Sequence, residues 1–145
     1  MQTKTPLMQH QSAAFEKLSR LRVGALFMEM GTGKSRVAIE LALQKLKNNK
    51  CNKVIWACPV SVKSTIVSEI RKHTDCESIY MFDGKTRKGN IPRAFFYILG
   101  IESISSSVRV IEAFESIVNG SMLIVDESHL IKGAFANRTN RFIYI

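Results

Sequence analysis

The sequence predicts an α/β fold in three layers, a mostly parallel sheet between helices, and three observations predict it. Apolar runs suited to buried strands alternate with stretches of helical periodicity. A glycine-rich segment, Glu29-Met30-Gly31-Thr32-Gly33-Lys34-Ser35, joins the apolar run 23–28 to a helical pattern that starts at Lys34. A second apolar run, Met122-Leu123-Ile124-Val125, ends in the acids Asp126 and Glu127. Acids at the end of a buried strand stand at the carboxyl edge, where parallel sheets bind their ligands.

The elements follow in order. Residues 8–21 carry Ala14, Leu18 and Leu21 at helical spacing, and 23–28 read as a buried strand. The segment 34–47 is a helix with apolar Val37, Ile39, Leu41, Leu43 and Leu46, stopped at Asn48-Asn49. A strand over 53–58 is stopped by Pro59, and 61–73 read as a helix capped by Ser61, with Val62, Ile66 and Ile70 on one face. Residues 78–82 form a short strand, 83–93 a basic loop and 94–99 a strand. A helix over 107–118 is closed by Gly120, and 122–126 is the acid-bearing strand. No internal repeat, low-complexity tract or interdomain linker interrupts this order. One domain over 1–145 is expected, with 1–21 as a helical segment before a core over 22–145.

Composition narrows the function. The chain of 145 residues is long enough for a real core, and 46% hydrophobic content excludes a disordered chain. A formal charge of +9 favours a polyanionic partner, nucleic acid first, although scattered surface lysines also give a basic protein. Cys51, Cys58 and Cys76 are odd in number and fit no zinc or disulfide spacing, which favours a reducing compartment. Cys58, inside a strand pattern, reads as a small core residue. No run approaches the ~20 apolar residues of a membrane helix, and the first residues lack a signal-peptide pattern. A cytoplasmic protein is expected.

The two motifs suggest chemistry together more than singly. Backbone N–H groups at a helix N-terminus make a site for a triphosphate. Lys34 would reach the β and γ phosphates, and the Ser35 hydroxyl would hold Mg²⁺. Asp126 would orient Mg²⁺ through its water shell, and Glu127 would polarise an attacking water. The strict phosphate-loop pattern has a glycine where Met28 stands. A serine-capped glycine turn, or a solvated Asp-Glu turn, would explain either motif alone.

In this order and spacing the chain resembles the N-terminal RecA-like lobe of superfamily-two helicases, over essentially its whole length. The likeness is closest to Swi/Snf-like, DExH-box DNA translocases, including phage-encoded relatives. It implies a P-loop NTPase fold, three-layer α-β-α and RecA-like, with ATP and Mg²⁺ as cofactors. Phe27-Met28-Glu29-Met30-Gly31-Thr32-Gly33-Lys34-Ser35 resembles the family's phosphate loop, which tolerates a residue such as Met28. Pro6-Leu7-Met8-Gln9-His10-Gln11 resembles its adenine-recognition segment, with Gln11 at the base-reading position and His10 in place of the usual aromatic residue. A solvated first-turn glutamine is the other reading of Gln11. Asp126-Glu127-Ser128-His129 resembles the Asp-Glu-x-His box, in which the histidine couples the ATP state to a second lobe.

Trp56-Ala57-Cys58-Pro59-Val60-Ser61-Val62 resembles a segment that meets the nucleic-acid backbone, which implies phosphate contacts at Ser61, nearby N–H groups and Lys63. An ordinary serine cap explains Ser61 equally well. Leu99-Gly100-Ile101-Glu102-Ser103 falls at a further tracking segment. Lys85, Arg87, Lys88 and Arg93 cluster in the loop 83–93, on the ligand edge if the sheet is parallel. Lys45, Lys47, Lys50 and Lys53 read instead as solvated surface near a helix C-terminus.

After Arg141 the chain reads Phe142-Ile143-Tyr144-Ile145, and the family's next Ser/Thr-Gly-Thr segment and second RecA-like lobe do not follow. An isolated lobe would bind Mg·ATP and hydrolyse it very slowly, needing a second lobe in cis or trans to move on double-stranded DNA. A nucleotide kinase, or a non-catalytic module that binds nucleic acid or a helicase, remain alternatives.

Overall fold

The computed structural model describes residues 2–19, 23–25, 34–126 and 142–144. Six strands form one sheet: β1 (Val23–Ala25), β2 (Lys53–Cys58), β3 (Ile79–Met81), β4 (Phe96–Gly100), β5 (Ser121–Val125) and β6 (Phe142–Tyr144). Their order is β1-β6-β5-β2-β4-β3, and every pairing is parallel. The helices are α1 (Gln9–Ser19), α2 (Lys34–Lys47), α3 (Lys63–His73), α4 (Ile101–Ser106) and α5 (Val108–Ile117). The fold is a three-layer α/β fold of RecA-like type.

The period of two along the strands builds both faces. Val54, Trp56 and Cys58 join Phe96, Ile98, Met122 and Ile124 on one face, against Val37, Ile39, Leu41 and Leu43 of α2 and Ile66 and Ile70 of α3. Ile55 and Ala57 join Tyr97, Leu99, Leu123 and Val125 on the other, against Ile104 of α4 and Val110, Ala113 and Phe114 of α5. Two apolar faces explain why these strands read as continuous apolar runs without alternation. In the central register Trp56 pairs with Ile98 and with Ile124.

Boundaries follow local chemistry. Asn49 adopts φ 56° just after α2, and Gly120 adopts φ 77° after α5, where a residue with a Cβ would be strained. Ser107 caps α5, its hydroxyl accepting from the Val110 N–H.

Four sequence expectations change. The segment 61–73 is not one helix capped by Ser61: after Pro59 the chain makes a 3-10 turn, Val60–Val62, and α3 starts at Lys63 with Val62 as N-cap and no side-chain cap. The Pro59 carbonyl takes the Val62 N–H at 3.0 Å and sets this turn. The stretch 101–106 is a short helix, hidden in sequence by its serines. A sixth strand, β6, lies between β1 and β5, too short for periodicity to mark. Finally, Lys45 is not solvated: it is 8% exposed and its ammonium donates to the Ser19 carbonyl at 2.6 Å, tying α2 to the end of α1. Lys53 is also partly withdrawn from water, donating to the Asn119 carbonyl at 2.9 Å, and burial lowers its pKa.

Candidate nucleotide and nucleic-acid site

Strand order becomes spatial order along one edge. In a parallel sheet every strand ends on the same side, so the carboxyl ends of β1, β5, β2, β4 and β3 share one edge. At ~4.8 Å per strand the row spans roughly 24 Å from β1 to β3. Lys34 and Ser35 open α2 on the β1 side, Asp126 follows β5, Ser61 and Lys63 follow β2, Glu102 follows β4, and Lys85, Arg87 and Lys88 follow β3.

At the first end, Lys34 and Ser35 are half-buried and α2 has no acid in its first turn. The helix N-terminus therefore keeps its partial positive charge beside an ammonium and a hydroxyl. Asp126 is partly exposed, with its N–H donating to the Ala57 carbonyl at 2.8 Å, which fixes it at the end of β5 against β2. An ammonium and a hydroxyl at a helix N-terminus, with a carboxylate on the same edge, suit a phosphate group and a hard oxygen-seeking cation. The expected Met30, Gly31, Thr32, Gly33, Glu127 and His129 lie outside the described residues.

Gln11 is 5% exposed and is not the solvated first-turn residue that sequence allowed. Its Oε1 accepts the Met8 N–H at 2.8 Å, the back half of a capping box on α1. α1 packs on α2, so the segment with Gln11 lies against the helix that opens with Lys34 and Ser35.

The middle of the edge is a charged cluster. Burial, then the negative charge of Asp126, push the Cys58 thiol up to about 12, with Lys63 opposing and Glu102 adding to the shift. Cys58 is a core residue as expected: it is fully buried, with its thiol directed to the Leu99 carbonyl. The ordinary thiol value is 9.0. Between those values the folded chain keeps a proton that the unfolded chain has lost. The contribution is whole below pH ~9 and is lost as pH rises toward 12, at up to about 1.4 kcal/mol per pH unit. Urea midpoints from pH 8 to 10.5 should fall more steeply for the native chain than for Cys58→Ala; equal slopes would contradict this.

The backbone-contact segment departs from expectation. The Val60 N–H donates to both carboxylate oxygens of Glu102, at 3.2 and 3.3 Å, so an acid of this chain holds an N–H assigned to a phosphate. Sequence placed Glu102 in a further tracking segment but carried no sign of this contact; the two segments meet closely, since a Cβ at Gly100 would collide with the Val60 side chain. Ser61 is exposed. Lys63 is half-buried and its ammonium donates to the Phe82 carbonyl at 2.9 Å, linking α3 to the start of the basic loop.

That loop is built rather than loose. Thr86 is fully buried, its hydroxyl 2.7 Å from the Tyr80 hydroxyl and accepting the Asp83 N–H at 3.0 Å. Arg109 of α5 donates to the Thr86 carbonyl. Asn90 accepts the Arg87 N–H at 2.8 Å and donates to the Lys85 carbonyl at 3.0 Å. The backbone is held while Lys85, Arg87 and Lys88 stay exposed; Arg93, grouped with them in sequence, is exposed too but lies at the other end of the loop, toward the amino edge of the sheet. The Lys85 N–H donates to Asp83, which helps keep that carboxyl below its ordinary pKa.

A hollow of about 420 Å³ lies at the opposite, amino edge of the sheet, lined by Asn52, Lys53, Ser78, Arg93, Phe95 and Tyr97. It is remote from Lys34 and Asp126, so its size does not make it the nucleotide site. Among the described residues no group of three or more His, Cys, Asp or Glu could hold a metal by itself, and no helix is long and apolar enough to cross a membrane.

Fold and sequence together define the class: this is a RecA-like lobe of the superfamily-two helicase type. The family model for the Type III restriction enzyme res subunit, ResIII, matches residues 4–143, and the chain belongs to that family. Among solved structures it is similar to the Sulfolobus solfataricus SWI2/SNF2 ATPase core in complex with dsDNA, with TM-score 0.78 and 16% identity over 98% of this chain and 32% of that one. It is also similar to the UvsW helicase from Bacteriophage T4, with TM-score 0.67 and 17% identity over 94% of this chain and 51% of that one. A third is a nuclease-deletion mutant of the Type ISP restriction-modification enzyme LlaGI with a DNA substrate mimic, with TM-score 0.67 and 14% identity over 97% of this chain and 17% of that one. The chain thus spans about a third of the first structure's length. No curated protein matches the sequence.

Proposed function

We propose that this chain is a single RecA-like, ATP-binding lobe of a DNA-dependent ATPase, over 1–145, that works on double-stranded DNA in the cytoplasm when completed by a second lobe. The observation that carries the reading is the shared carboxyl edge of Lys34, Ser35 and Asp126, contributed by two strands more than 90 residues apart in sequence. In this reading Gly31, Thr32 and Gly33 cradle the phosphates with Met30, and Lys34 holds their charge. Ser35 and Asp126 hold Mg²⁺, Asp126 through water. Glu127 orients the attacking water, Gln11 reads the adenine, and His129 couples to the second lobe. Bound Mg²⁺ would supply charge neutralisation between the phosphate oxygens. A fluorescent ATP analogue should bind saturably and be released by EDTA; no Mg²⁺-dependent binding would contradict the assignment.

The nucleic-acid surface is the β2–β3 end of the same edge. Lys85, Arg87 and Lys88 would meet backbone phosphates from a braced loop, with Ser61 and Lys63 beside them. Replacing Lys85, Arg87 and Lys88 together by glutamine should lower the slope of log K against log salt for duplex DNA by up to about 3. An unchanged slope would take this loop out of the footprint. A nucleotide kinase is less well supported, because its lid must close, and the backbone of this loop is pinned through Thr86 and Asn90.

A further inference from the structure

Arg36 stands beside Ser35 in α2, yet it is directed away from any role at the phosphate motif and is 5% exposed. Its Nε donates to the Thr5 hydroxyl at 3.0 Å, one terminal nitrogen donates to the Thr5 carbonyl, and the other donates to Glu40 at 3.0 Å. The guanidinium fork therefore grips both oxygens of a residue 31 positions away. Burying a guanidinium is costly unless its donors are met, so this grip needs a structural reason.

Thr5 belongs to an extended strap. Thr3 bridges Thr74, Lys4 N–H donates to the His73 carbonyl at 2.7 Å, and the Asp75 N–H donates to the Gln2 carbonyl at 3.1 Å. The Thr5 hydroxyl, accepting from Arg36, lies 2.7 Å from His73 Nδ1, while His73 Nε2 lies 3.0 Å from Glu69. This network suits a histidine with its proton on Nε2, donating to Glu69 and accepting from Thr5. Beyond Thr5 come Pro6, with φ fixed by its ring, and the Met8–Gln11 capping bond.

We propose that Arg36 is a positioning residue for selection of the nucleotide base. By clamping the strap to α2 it fixes the offset between Gln11 and the helix that begins with Lys34 and Ser35. The inference rests on the proposed roles of Gln11 as base reader and of Lys34 and Ser35 as phosphate ligands. Without the clamp the phosphate end stays assembled, while the base end is free to drift.

The test displaces a fluorescent ATP analogue with ATP or with GTP, in Mg²⁺, for wild type, Arg36→Met, Arg36→Lys and Thr5→Val, beside thermal melting. Wild type should prefer ATP. In Arg36→Met that preference should fall by about fivefold or more, the scale of one well-made hydrogen bond, with GTP affinity within about twofold. Arg36→Lys should recover part of the preference, since a single ammonium cannot span both Thr5 oxygens. Thr5→Val, which removes the hydroxyl and keeps the carbonyl, should lie between, and it carries the test if Arg36→Met does not fold. An unchanged ATP-to-GTP ratio in the folded variants overturns the proposal alone. So does a parallel loss of both nucleotides that tracks melting temperature. A wild type that binds both nucleotides equally overturns the reading of Gln11 instead.

Discussion

Lys34→Ala is expected to weaken Mg·ATP binding by about 10- to 100-fold while leaving the fold intact. The ammonium is the one full positive charge in the motif, and a hydrogen bond to a charged group is worth about 1.5–3 kcal/mol. Lys34 is the first residue of α2, half-buried, so its removal leaves the packed positions Val37, Ile39 and Leu41 untouched. Its stability cost should be within about 0.5 kcal/mol. Titration of a fluorescent ATP analogue reads the affinity and urea unfolding reads the fold. Equal affinity in wild type and variant would remove Lys34 from the phosphate site.

The largest stability effect should come from Trp56→Ala, at about 3–5 kcal/mol. Trp56 is wholly buried at the centre of β2, between Ile98 and Ile124 on its neighbours and under α2 and α3. A domain with only about 5–15 kcal/mol in total would lose a large part of its stability. Trp56→Phe should cost much less. It keeps a ring in the cavity and removes an indole N–H that has no hydrogen-bond partner among the described residues. Trp56 is the one tryptophan, so circular dichroism in urea is the suitable probe. A loss under about 1 kcal/mol for the alanine variant would mean that the core is not organised around β2.

Short-range chemistry was readable in the chain, and long-range chemistry was not. The bounds of β2 followed from an apolar run ended by Pro59, and those of α2 from helical spacing ended by Asn48-Asn49. The shared edge of Lys34, Ser35 and Asp126 followed from parallel topology, which alternating strands and helices predict. β6 escaped because three residues carry no period, and α4 because serine-rich segments favour turns and caps as readily as helix. Ser61 has the composition of a cap, but the backbone preference of Pro59 moved the helix start by two residues.

The burial of Lys45, the Glu102 contact with Val60 and the Arg36 clamp on Thr5 each join residues 26 to 42 positions apart. No local pattern encodes such pairs. Lys45 looked solvated because lysines usually are, but its ammonium is held at the end of α1 above it. Gln11 shows the reverse case. Its motif position was legible, but its burial and its bond to Met8 depend on the strap and on α1 packing against α2.

The most direct measurement is hydrolysis of Mg·ATP by the purified chain, with and without duplex DNA, beside Glu127→Gln. Arginine fingers supplied from a second element are worth roughly 10³–10⁵ in rate, so turnover by the lobe alone should be slow. The proposed function predicts slow hydrolysis, raised by duplex DNA and lost in Glu127→Gln while Mg·ATP binding persists. A wild type that binds no Mg·ATP, or turnover that is equal in the two proteins, would contradict it.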